Sequence, residues 1–277
     1  MKKVKQQLNK NLIKEIGFDA LLTLACSSVG LPVYGQIALS SSFKLAKSYI
    51  DNKIRPLYDD FSDRQLSKFQ LERLNNITLQ AITTFCKRCK EGNWNIEHPE
   101  SDAYIKSLFE SQDHLIYQSL QDAQRQKDML YGSYWGNLIY EHDENWDDQY
   151  FIINLLGRLS IRQIILIKLL VDGFPGINTS LAITNPIIVS EFNDLSPLFW
   201  HIEKGIELNN SWDSRHLGNL VITDFAQNIY RMLGLSECIT EEMVKEIVSQ
   251  MKLQSTESPH HFYIDPDGNY AERPPLE

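Results

Sequence analysis

The sequence has no Gly-x-x-x-x-Gly-Lys-Ser/Thr loop, no Gly-x-Gly-x-x-Gly and no Gly-x-Ser-x-Gly. The first two absences exclude the common glycine-rich phosphate cradles, and the third excludes a nucleophile elbow. Cysteine is scarce: Cys26, Cys86, Cys89 and Cys238 are too few to staple 277 residues, so a reducing, cytoplasmic setting is the expectation. With 13 glycines and 10 prolines, little of the chain reads as disordered. Charge is missing locally: the 24 residues from Ala20 to Phe43 carry none.

That uncharged stretch sits in a lopsided chain. Residues 1–90 hold 15 Lys/Arg against 7 Asp/Glu, a net of +8, whereas residues 91–277 hold 12 against 29, a net of −17. A basic arm on an acidic body suits a protein that meets an anionic surface. The acidic body lacks the clustered cations that phosphate neutralisation needs, so nucleic acid is not an expected partner. The beginning has the lysines and apolar run of a signal peptide, but Glu15 and Asp19 interrupt it directly before that run and no clean small-x-small site follows.

Residues 20–43 are long enough to span a bilayer. Five serines, a threonine, a glutamine and two glycines dilute them, and Gly30-Leu31-Pro32 breaks a helix near the middle. Two small-residue helices packed in a core and a helical hairpin that enters a bilayer on a trigger are both open. Upstream, Val4, Leu8, Leu12 and Ile16 form one stripe of a helix over 2–16, with the lysines off it.

Helical signals fill the middle of the chain. A helix is expected over 44–58, then a turn at Asp59-Asp60. Ser62 with Gln65 reads as a capping box, and Phe61 with Leu66 as a hydrophobic staple. The helix that follows runs to about Lys90 and ends at Gly92. Residues 93–100 read as a loop, 102–110 as a short helix, and 113–140 as one long helix or two. Carboxylates of the acidic loop 141–148 favour the start of a helix over 149–157. Ser160 and Gln163 cap an apolar helix over 161–171, stopped by Gly173, Pro175 and Gly176. Helices over 186–195 and 197–205, a hairpin joining 206–208 to 220–222, and a helix capped by Thr223 and closed by Gly234 give the order of a winged-helix module. Thr240 starts one more helix, and 262–270 suits a lone hairpin.

Residues 129–140 (Met-Leu-Tyr-Gly-Ser-Tyr-Trp-Gly-Asn-Leu-Ile-Tyr), the acidic loop and 151–170 (Phe-Ile-Ile-Asn-Leu-Leu-Gly-Arg-Leu-Ser-Ile-Arg-Gln-Ile-Ile-Leu-Ile-Lys-Leu-Leu) form a block that resembles bacterial helical proteins of the abortive-infection alpha type. The resemblance covers about 110–235. Where that group has a Leu-Thr-x-x-Gly step, this chain reads Ile222-Thr223-Asp224-Phe225-Ala226, with alanine in place of the glycine. The resemblance implies a bacterial or prophage-borne protein linked to phage defence, and it supplies no catalytic residues.

Other constellations read as structural. Cys86-Lys87-Arg88-Cys89 is a CxxC without a second ligand pair, at the end of a helix rather than the start, so neither zinc nor redox chemistry is expected. His142 among Asp143, Glu144, Asp147 and Asp148 reads as a solvated loop rather than a cation site, and Asp265–Asn269 as a turn. No arginine is followed by histidine four to six residues on, the spacing of HEPN-type RNases.

The expectation is therefore an all-α, multi-helix bundle with a winged-helix-like C-terminal part containing a small β-hairpin. It divides into an arm (1–58), a helical core (59–175), the winged-helix-like module (176–255) and a tail (256–277). No catalytic residue, metal or cofactor is assigned. The expected function is a non-enzymatic bacterial defence or toxin-like protein, cytoplasmic or associated with the inner membrane. Lys2, Lys3, Lys5, Lys10 and Lys14 would contact anionic lipid, followed by Leu21, Leu22, Leu24 and Val29. The partner is an anionic membrane surface or a protein, and a homo-oligomer stays open. The alternatives are a soluble adaptor or inhibitor that uses its acidic surface, and a nuclease with scattered residues.

Overall fold

The computed structural model describes residues 17–30, 41–91, 102–141, 146–173, 181–202, 215–216, 220–251, 253–255, 262–264 and 270–272. It is an all-α, multi-helix fold with short strands, as the periodicity indicates. The expected helix over 2–16, its five lysines, the loop 93–100 and the cluster His142–Glu144 lie outside the described residues. The chain divides into two compact units: residues 1–161 with 228–238, and residues 162–227 with 239–277.

The first unit contains α1 (Phe18–Ser28), α2 (Ser41–Lys53), α3 (Arg55–Asp63), α4 (Lys68–Glu91), α5 (Asp102–Gln121), α6 (Asp128–Glu141) and α7 (Trp146–Arg158). It also takes in the end of α10 (Asp224–Met232) and α11 (Leu235–Cys238). Its centre is α6 against α4, and two glycines bring them together. A Cβ at Gly132 would lie 2.5 Å from the Ile77 carbonyl, and one at Gly136 2.5 Å from that of Ala81. Only glycine lets the backbones approach this closely.

The turn before α6 is tied by buried charge. Arg73 Nε and Nη2 donate to Asp128 Oδ1 at 2.9 and 2.6 Å, and Nη1 reaches the Asp122 carbonyl. Lys127, wholly buried, donates to Asp122 Oδ2 at 2.8 Å and to the Leu156 carbonyl at 2.9 Å. Tyr131 donates its hydroxyl to the same Asp122 oxygen at 2.9 Å. Burial raises the Asp128 carboxyl above its usual range, against the pull of Arg73. Removing one partner of such a pair leaves an uncompensated buried charge, at a cost of about 3–5 kcal/mol.

Two local expectations give way here. Ser62 does not start a helix. It lies inside α3, donating back to the Asp59 carbonyl at 2.9 Å, and Asp59-Asp60 are helical rather than a turn. Leu57, Tyr58 and Phe61 are buried on one face, and that burial carries the helix past the polar pair. The capping box falls five residues on, at Ser67 and Gln70. The Gln70 N–H donates to Ser67 Oγ at 3.2 Å, and the Ser67 N–H to Gln70 Oε1 at 3.1 Å. Residues 102–121 form one helix, so the break expected after 110 falls at 122–127 instead.

The second unit holds α8 (Ile161–Asp172, from Arg162 onward), β1 (Leu181–Ile183), α9 (Pro186–Asp194), β2 (Trp200–Ile202), β3 (Arg215–His216), β4 (Leu220–Ile222), the start of α10, α12 (Glu241–Gln250), β5 (Leu253–Ser255), β6 (Phe262–Ile264) and β7 (Tyr270–Glu272). β1 pairs antiparallel with β3 and β5, β2 with β4, and β6 with β7. Thr223 and Thr240 cap their helices as expected, accepting from the N–H of Ala226 and Met243. The tail hairpin forms as β6 and β7.

The helix expected over 197–205 is contradicted in its described part. Residues 195–199 turn, and 200–202 are β2, with Trp200 opposite Ile222 and Ile202 opposite Leu220. Proline at 197 biases Ser196 away from helical geometry, and an aromatic and β-branched run suits a strand. Trp200 Nε1 donates to the Phe192 carbonyl at 3.0 Å, and Thr223 Oγ1 to that of Leu198 at 2.7 Å, which fixes the run between helix and strand. The described partner of 220–222 is 200–202, the expected partner 206–208 lies outside the described residues, and the winged-helix comparison lacks its second helix over 197–202.

Candidate functional site

The described half of the uncharged stretch is α1, and it is seated on α4. Leu21 and Leu22 are buried, as are Ala25 and Cys26, while Leu24 and Val29 are half-buried. α1 ends where the sequence indicates, with Gly30 at φ 68°, a backbone geometry glycine adopts without steric cost. No single described helix is long and apolar enough to cross a membrane; α1 is a shorter apolar helix.

Polar ties at the edge of the seat are exposed or half-buried. Arg55 donates to Asp19 at 2.6 Å and to Asp51 at 2.9 and 3.1 Å, and its guanidinium lies 4.3 Å from the Phe18 ring centroid. Lys90 donates to the Val29 carbonyl at 2.8 Å, where it meets the negative end of α1. Burial tends to raise the Asp51 carboxyl, but Lys47 and Arg55 outweigh it and hold it below the usual range.

The solvent-facing edge of α1, at Leu24 and Ser28, also forms a wall of a groove of about 1020 Å³. Leu24 and Ser28 face the polar stripe Asn76, Gln80 and Thr83 of α4, with Met129 of α6 beyond. Arg125 pairs with Glu72 at 3.3 Å and covers the Phe69 ring at 4.2 Å. Each carboxylate of the groove, Glu72 and Asp128, is held by an arginine, so neither is poised as a general base. Amides, hydroxyls and apolar carbons together suit the backbone and side chains of a bound segment. The stripe at 72, 76 and 80 has helical spacing, yet alone it reads as a solvated face; only α1 and α6 beside it make a groove.

A second cleft, of about 500 Å³, lies over α3, α5 and α7. Phe109, Tyr117 and Tyr150 line it together with Glu110, Asp113 and His114. His114 stacks on Tyr150 at 5.0 Å, and its Nε2 lies 3.1 Å from Asn154 Oδ1. Arg64 already places a guanidinium 3.3 Å from Asp113.

Cys86 is buried and Cys89 partly so. The neighbouring Cys26 thiol of α1 and burial push the Cys86 thiol of α4 up, and the same neighbour lowers Cys26. Burial pushes Cys89 and Cys238 up to about 12, so both are thiols rather than thiolates at neutral pH. No group of three metal-ligating side chains occurs among the described residues. Compared with known proteins, the chain matches no family model, no curated protein and no solved structure.

Proposed function

We propose that this chain is a non-enzymatic bacterial defence or toxin-like protein whose helical body holds its N-terminal arm until a partner changes that hold. The observation that carries the reading is the double role of α1: buried on α4 through Leu21, Leu22, Ala25 and Cys26, and at once a wall of the 1020 Å³ groove. A segment entering the groove meets Leu24 and Ser28 directly, so its binding is coupled to the seating of α1. The resemblance of 129–171 to the abortive-infection alpha type supplies the defence setting. Once the arm is released, Lys2, Lys3, Lys5, Lys10 and Lys14 meet anionic lipid, each contributing about 1 kcal/mol near the surface, and Leu21, Leu22, Leu24 and Val29 follow.

Co-sedimentation with anionic and neutral vesicles at low and high salt tests this. Salt-sensitive binding to anionic vesicles is expected, strengthened by Arg55→Gln, which removes the tie to Asp19 of α1, and abolished by reversing the five lysine charges. Equal binding after charge reversal overturns it.

A second reading is favoured by the cleft of Phe109, Tyr117, Tyr150, Glu110 and Asp113. Aromatic faces and carboxylates together attract a guanidinium or ammonium, so the acidic body could dock a basic protein. An arginine-rich peptide followed by fluorescence anisotropy separates the two. Binding lost in Asp113→Lys, with vesicle binding absent, selects the adaptor.

A further inference from the structure

A third cavity, of about 190 Å³, opens at the C-terminal end of α4 and has no part in the seat or the groove. It gathers Lys87 and Arg88 from α4, Ser133 from α6, Arg231 from α10 and Ser236 from α11. Arg88 Nη2 donates to Glu141 Oε1 at 2.7 Å, and Arg231 Nη1 donates to the same oxygen. One carboxylate oxygen thus serves two guanidinium groups. Arg231 also reaches Asn228 at 2.8 Å, and Lys87 is shared between Glu237 and, at 3.9 Å, Glu91.

Glu141, Glu237 and Glu91 face the three cations, and Glu91 and Glu237 also line the cavity. Arg88 Nε is buried and has no hydrogen-bond partner among the described residues. A guanidinium does not shed its proton at physiological pH, so an orphaned donor is satisfied only by an added acceptor. Burial and the adjacent Arg88 charge hold Arg231 below its ordinary range. The hydroxyls of Ser133 and Ser236 supply further donors.

We propose that this cavity binds a phosphate-type oxyanion, with Arg88, Arg231 and Lys87 as charge-assisted donors and Glu141 as the resident competitor. Arginine pairs suit such anions because planar forks donate to two oxygens at once. The volume holds a few waters, enough for a tetrahedral oxyanion; anything esterified to it would project into solvent.

Calorimetry on the full chain in chloride buffer tests this, with inorganic phosphate and adenosine monophosphate as probes. Saturable binding is expected, weakened about tenfold in Arg231→Gln and strengthened several-fold in Glu141→Gln, which removes the competing charge. A purely structural role for Glu141 does not tighten a ligand. Equal affinity for the two probes assigns the site to the free anion, and tighter binding of the nucleotide assigns it to a phosphorylated ligand. No binding of either probe by wild type and Glu141→Gln at about 10 mM, or binding indifferent to both substitutions, overturns the proposal.

Discussion

α1 and α6 both pack along α4, and they are held in opposite ways. α6 is joined by two glycines at backbone contact and by the buried Arg73–Asp128 pair. α1 is joined by ordinary apolar side chains and by the exposed hydrogen bond from Lys90 to the Val29 carbonyl, while the part-exposed Arg55–Asp19 pair ties it to α3. The first joint cannot open in part: separating α6 from α4 strands a buried charge and leaves a void, both expensive. The second can open, because its polar groups regain water and its apolar loss is confined to one short helix of 11 residues. α4 therefore carries one partner joined at backbone contact and one joined by side chains alone, the contrast on which the proposed release of the arm rests.

The sharpest way to break this contrast is Arg73→Met. It leaves Asp128 buried without its cation and is expected to destabilise the first unit by about 3–5 kcal/mol in urea unfolding. Adding Asp128→Leu should restore most of the loss. Gly136→Val is next, at about 3 kcal/mol, because its Cβ meets the Ala81 carbonyl and backbone cannot yield as a side chain does.

Leu22→Ala on the α1 side should cost about 2 kcal/mol. Its signature is local: hydrogen exchange should rise in α1 before α6. If α1 and α6 lose protection together, the two joints are one cooperative unit and the contrast fails.

Arg55→Gln should cost less than about 1 kcal/mol, since its pairs are partly solvated. The same network predicts a pH effect. The Asp51 carboxyl lies below its unfolded value of 3.8 in the folded state. Its contribution is therefore present above that value and lost as pH falls through the lower folded one. α1 exchange should accelerate below about pH 4 in wild type, and Asp51→Asn should remove that acceleration.

Much of the helical scaffold is legible along the chain. α4, α7 and α8 follow apolar periodicity, and Thr223 and Thr240 cap where their side chains reach the next turn. These are local effects, settled within four or five residues. The misreadings are local ties broken from outside. Ser62–Gln65 and Ser67–Gln70 are the same pattern, and burial of Phe61 chose the second. Trp200–Ile202 has the composition of either element until Leu220–Ile222 pairs with it.

The charge asymmetry, the uncharged stretch at 20–43 and the all-α class follow from the amino acids alone, because composition and short-range spacing decide them. The sites do not. Arg73 meets Asp128 across 55 residues, Arg231 meets Glu141 across 90, and α1 becomes the wall of a groove only by lying on α4. The close approach that requires glycine at 132 and 136 exists only because α4 lies against them. Such pairings depend on which helix faces which, and only burying all the apolar faces at once selects that arrangement.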